Sequence, residues 1–133
     1  MLTDIHLNPG YVPELESNTF CMSTEKAREA DDIAEFGRPG CDSPRLLVET
    51  MMNQMRAQHP DLEVILVPGD LVTHAYASDT PDETNEKYDN ITGVLDTVSQ
   101  LFEIYFPSAI VLPTIGNNDT EFHYNPEEGA NKK

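Results

Sequence analysis

The sequence predicts an α/β fold built as a parallel β-α-β-α-β unit. Two apolar runs, Leu62-Glu63-Val64-Ile65-Leu66-Val67 and Ala109-Ile110-Val111-Leu112, are short, β-branched and bounded by Pro or Gly. Strands covered on both faces of a parallel sheet read this way. Before and between them lie stretches in which apolar residues recur every three or four positions, the mark of amphipathic helices. Strands that alternate with helices close into a right-handed crossover unit.

Taken in order, Leu2-Thr3 forms the end of a first strand, although only three residues precede Asp4 and a full strand takes about five or six. Asp42-Ser43-Pro44 supplies a helix cap and a first-turn proline, and Leu47, Met51 and Met55 then step toward Pro60. After the second strand, Tyr88, Ile91, Leu95, Val98, Phe102 and Tyr105 mark a longer helix that closes at Pro107. These stripes read as core-facing surfaces rather than cofactor contacts. The third strand follows. The stretch from Gly10 to Gly40 shows no regular pattern, and residues 126–133 read as a frayed, disordered tail.

A chain of 133 residues makes one domain at most. Its 24 acidic and 8 basic side chains leave a net charge of −16. That balance excludes non-specific binding to nucleic acid or to anionic lipid, which needs Lys and Arg against phosphate. No apolar run approaches the ~20 residues of a membrane span, and the first residues do not form a signal peptide. The two cysteines, Cys21 and Cys41, fit either one disulfide or two free thiols, and their spacing favours neither.

Ligands of parallel α/β sheets gather beyond the carboxyl ends of the strands. Here those ends read Asp4-Ile5-His6, Gly69-Asp70 and Gly116-Asn117-Asn118-Asp119. Each alone is an ordinary turn or polar loop. Together they deliver carboxylate, imidazole and amide groups to one rim, a donor set suited to a pair of divalent ions. The absence of cysteine from it argues against a structural zinc site.

Asp-x-His, Gly-Asp and Gly-Asn-x-Asp resemble the first three signature blocks of the calcineurin-like metallophosphoesterases. More narrowly, the chain resembles their acid sphingomyelinase-like phosphodiesterase and endopolyphosphatase branch. Thr3-Asp4-Ile5-His6-Leu7-Asn8-Pro9, Gly40-Cys41-Asp42-Ser43-Pro44 and the Gly69-Asp70 to His74 spacing carry that narrower likeness. It covers essentially the whole chain, of which residues 1–125 read as the amino-terminal part of such a domain.

The resemblance implies a partial metallophosphoesterase sandwich and a hydrolase acting on phosphodiester or phosphoanhydride bonds of a phosphate-ester substrate. It implies that Asp4 and His6 bind one cation, that Asp70 bridges two, and that Asn117 binds the second. Zinc is the first choice, with manganese or iron also compatible. Cations roughly 3.5–4 Å apart clamp phosphoryl oxygens and acidify water, and they reverse the local potential of an acidic protein.

Asn118 stands where most of the superfamily has His. It can donate a hydrogen bond to a phosphoryl oxygen but supplies no proton near neutral pH. His74 then takes the part of acid or phosphate contact, against the plainer reading of a surface loop. His123 reads as a loop residue, and His59 as a partner of a helix dipole.

The resemblance also implies a Cys21–Cys41 disulfide and a secreted, lysosomal or vacuolar full-length protein. Asn90-Ile91-Thr92 fits a glycosylation sequon. The family completes its metal shells with later histidines, and nothing after Asn125 supplies them. The expectation is therefore an amino-terminal fragment that binds metal weakly and turns nothing over alone. A non-catalytic module that keeps the scaffold is the alternative, favoured by Asn118 and by Pro68 before Gly69-Asp70.

Overall fold

A computed structural model describes residues 1–76 and 86–120. Among these, helices α1 (Arg45–Gln58) and α2 (Glu86–Tyr105) alternate with strands β1 (Val64–Val67) and β2 (Ile110–Pro113). Single 3-10 turns occur at Ser17–Thr19 and His74–Tyr76. The strands pair in parallel from Val64 opposite Ile110 to Val67 opposite Pro113. Parallel neighbours need a long crossover, and α2 lies within it. The α/β class expected from the sequence is therefore the one observed. The expected tail at 126–133, the boundary at 125 and His123 lie outside the described residues.

The first strand is reduced to a strand-like edge. Leu2 donates its N–H to the Leu66 carbonyl at 2.9 Å, and Asp4 donates to Gly69 at 3.2 Å. Beyond that, Leu7 forms parallel bridges to Ser43 and Val72. The ladder does not become regular because Asp4 and His6 take positive φ, 55° and 42°, which breaks an extended run.

The core lies where α1 and α2 cover one face of the sheet. Ile65 and Val67 of β1 pack with Val48 and Met52 of α1 and with Ile91, Val94, Val98, Leu101 and Phe102 of α2. Burying each such side chain contributes about 1.5–3 kcal/mol. The expected cover on both sheet faces is not found among the described residues: Val64, Leu66, Ile110 and Leu112 are exposed. Apolar composition shows that a strand can be buried twice over, and only the elements present decide whether it is.

The helix stripes also shift. Leu47 is exposed and Met51 and Met55 are partly buried, while Val48 and Met52 point fully inward. In α2, Tyr88 is exposed, whereas Val94 and Leu101 join the core. A four-residue spacing selects a face but not the rotation of that face toward the sheet. The expected cap differs too, since Pro44 occupies the N-cap position and no side chain caps the helix.

The stretch before α1 is irregular but tied down. Tyr11 pairs with Met22 and Leu15 with Glu29 through antiparallel bridges, and the Tyr11 hydroxyl donates to the Ala34 carbonyl at 2.6 Å. Burial pushes the Tyr11 hydroxyl above its usual pKa. A Cys21–Cys41 disulfide joins the middle of this stretch to the residues just before α1. No helix among the described residues is long and apolar enough to cross a membrane.

Candidate metal centre

Because β1 and β2 run parallel as neighbours, the loops leaving their carboxyl ends begin side by side. Glycines let them touch. A Cβ on Gly69 would strike the backbone nitrogen of Gly116, and one on Gly116 would strike the backbone nitrogen and Oδ1 of Asp70. Gly69 also holds φ at +104°, where side chains are strained.

One buried carboxylate then locks the two loops. Asp119 Oδ2 accepts the N–H groups of Asp70 and Gly116, both at 2.8 Å. Its Oδ1 accepts those of Leu71 at 2.7 Å and Val72 at 3.0 Å. Asn118, only 4% exposed, donates its backbone N–H to Asp70 Oδ1 at 3.0 Å and its side-chain amide to the same oxygen at 3.4 Å. The side chain of Asp70 is thus oriented from the β2 loop.

The amino-terminal edge adds two further groups. Ligand atoms of Asp4, His6 and Asp70 lie within 4.8 Å of one another, with His6 Nε2 3.8 Å from Asp4 Oδ1. His6 Nδ1 donates to the Val72 carbonyl at 3.0 Å, which leaves Nε2 as the coordinating atom. A ring nitrogen anchored on a carbonyl is the usual support for a metal-binding histidine. All three residues sit in left-handed backbone, Asp70 at φ 55°. Such conformations cost roughly 1–3 kcal/mol each and cluster where function holds them. Two carboxylates and an imidazole that converge in this way fit a divalent cation in donor chemistry as well as position.

His74 borders this cluster. Its ring stacks on that of His6 with centroids 4.1 Å apart and planes inclined by 29°. Asp42, read from the sequence as a helix cap, turns instead toward the loop after β1. It accepts the Thr73 hydroxyl at 2.7 Å, the His74 backbone N–H at 2.6 Å and His74 Nδ1 at 2.9 Å.

Similar proteins match nearly the whole chain. An endopolyphosphatase of Saccharomyces cerevisiae is 27% identical over 131 residues, covering 92% of this chain and 19% of its own length. The cyclic GMP-AMP phosphodiesterase SMPDL3A of Bos taurus is 29% identical over 118 residues, 89% of this chain and 25% of that protein. The acid sphingomyelinase-like phosphodiesterase 3b of Homo sapiens is 27% identical over 124 residues, 92% of this chain and 25% of that protein. Over most of its length the chain is similar to these acid sphingomyelinase-like and endopolyphosphatase proteins. No protein-family model matches it. The chain spans between about a fifth and a quarter of the length of these relatives.

In this chain the structure brings Asp4, His6 and Asp70 together and sets His74 beside them. Asn117 lies in the same β2 loop, its carbonyl accepting the Thr120 hydroxyl at 3.2 Å. Asn118 is buried against Asp70. His59 closes α1 ahead of β1, so it belongs to the opposite end of the sheet. An apolar hollow of about 390 Å³ between α2 and the sheet, lined by Val67, Val98, Phe102, Phe106 and Val111, includes none of the rim residues. Two residues went without a site role in the sequence reading. Asp119 closes the Gly-Asn-Asn-Asp block and Asp42 follows Cys41, so both stood inside quoted motifs, but apart from Gly116 their partners lie 47–49 and 31–32 positions away.

Proposed function

We propose that this chain forms one side of a dimetal phosphoesterase centre that hydrolyses phosphodiester or phosphoanhydride bonds. The observation that carries this reading is the convergence of Asp4, His6 and Asp70 at the sheet's carboxyl edge, each in left-handed backbone. Asp4 and His6 would hold one cation, Asp70 would bridge to a second, and Asn117 would contribute to that second position. Two bound divalent cations, with zinc preferred, supply Lewis-acid stabilisation of the phosphoryl oxygens and acidify water. Asn118 keeps the bridging carboxylate oriented and carries an amide to the edge of the phosphate position. His74 contacts the phosphoryl group or donates to the leaving oxygen.

The relatives are named for polyphosphate, cyclic GMP-AMP and sphingomyelinase-like activities. What those share is a phosphoryl group, and that is the substrate class proposed here. A disulfide forms and persists in oxidising compartments, which supports a secreted, lysosomal or vacuolar protein, with a glycan on Asn90 as a further expectation.

The test is calorimetric titration of the chain with Zn or Mn, together with hydrolysis of a bis-aryl phosphodiester by the chain and by any longer form that carries it. Saturable cation binding that disappears in Asp70→Ala, with turnover in the longer form, supports the proposal. No uptake at millimolar metal overturns it and leaves a binding module that kept the scaffold.

A further inference from the structure

Asp42 lies two residues before Pro44, the N-cap residue of α1, close to where a carboxylate ordinarily caps a helix. Its bonds run elsewhere. Oδ2 accepts both the Thr73 hydroxyl and the His74 backbone N–H, and Oδ1 meets His74 Nδ1. The Asp42 side chain is 12% exposed against 45% for His74, so an enclosed carboxylate grips a ring that still reaches solvent. An ionised carboxylate only accepts, so Nδ1 is the donor in this contact and Nε2 is the ring atom left for a ligand.

The arrangement repeats one ring away. His6 is anchored through Nδ1 on the Val72 carbonyl, and His74 through Nδ1 on Asp42, with the two rings stacked. His6, Asp42 and His74 also lie close enough to be considered as a cation site of their own. Both Asp42 oxygens are already engaged by three donors, which favours a supporting role over ligation.

We propose that Asp42 is the positioning residue for His74. Its carboxylate keeps a hydrogen on Nδ1 and holds the ring against His6, so that Nε2 is the ring nitrogen presented to a substrate, where it donates to a phosphoryl or leaving oxygen when the ring carries both hydrogens. The presence of that substrate rests on the phosphoesterase reading above, whereas the Asp42–His74 geometry does not. Thr73 and the His74 N–H complete the grip: they occupy the second oxygen and stop the carboxylate from rotating away.

The experiment has two arms. Nitrogen–proton NMR of the histidine rings in the chain reports which nitrogen of His74 carries hydrogen. The expected pattern is the Nδ1–H form in the wild type. It should persist in Asp42→Asn, which keeps an oxygen for that hydrogen, and in Asp42→Ala give way to the pattern of the solvent-facing His59. A wild-type His74 with hydrogen on Nε2 and none on Nδ1 overturns the proposal without any variant. In the kinetic arm, on whichever form of the protein turns over a bis-aryl phosphodiester, Asp42→Ala should lower kcat about 10- to 100-fold with KM little changed. The same change in a His74→Ala background should cost nothing further. Losses that simply add would assign Asp42 a structural role and overturn the proposal. A fixed Nδ1–H tautomer in a protein that takes up no cation would keep the positioning and remove the phosphoesterase reading. Turnover insensitive to Asp42→Ala would do the reverse.

Discussion

The Asp119 carboxylate accepts the backbone N–H of Asp70 at 2.8 Å, and through that bond the loop after β2 sets the conformation of the loop after β1. Four N–H groups converge on this one side chain. Asp119→Ala strands them in a buried place, where each unmet donor costs about 1–3 kcal/mol. The expected loss is roughly 3 kcal/mol or more, measured by urea unfolding. Asp119→Asn, which keeps one oxygen, should lose less. An alanine variant within 1 kcal/mol of wild type would show that the loops hold without the clamp.

Asp70 is oriented by Asn118 and by its own left-handed backbone. Asp70→Asn removes the charge while preserving shape, so cation affinity should fall at least about tenfold, the scale seen when even supporting groups are lost. Asn118→Ala should lower affinity less, because only one of its two bonds to Asp70 comes from the side chain. Equilibrium dialysis with Zn or Mn measures both, and the opposite ranking would remove the proposed bridging role.

Gly116 and Gly69 are in contact across the two loops. Gly116→Ala drives a methyl into Asp70 itself, and the outcome should be lost cation binding together with reduced stability. Gly93, on α2, has nothing within 4 Å of the same methyl, so Gly93→Ala should leave the fold unharmed or stabilise it by up to about 1 kcal/mol. Equal behaviour of the two variants in thermal unfolding would contradict the close approach of the loops.

Reduction of Cys21–Cys41 releases a loop of 20 residues. In the chain-entropy account this costs about 3 kcal/mol. The midpoint of urea unfolding should therefore fall under reductant, and the double Cys→Ser variant should show the same midpoint with or without it. A midpoint unmoved by reductant would mean that the bridges and hydrogen bonds of the stretch before α1 suffice.

Much of the site was legible before the fold was known. Asp4, His6 and Asp70 follow apolar segments that end together in a parallel sheet, so local pattern and topology place them on one rim. The exact packing face of each helix was not legible, since Val48 and Met52 rather than Leu47 and Met51 turn inward. That depends on how each helix sits on the sheet, which is a contact between segments.

The amino-acid sequence by itself determined the order of strands and helices, the polar groups at the strand ends and the family they point to. Tertiary structure alone decided what Asp42 and Asp119 do. Each carries a short polar side chain that can cap its own neighbours or accept donors brought from elsewhere, and local pattern describes the two options equally well. For Asp119 the distant donors win because folding buries the Leu71 and Val72 N–H groups beside it, where a missing acceptor is costly, and for Asp42 because three donors of one loop reach its two oxygens together.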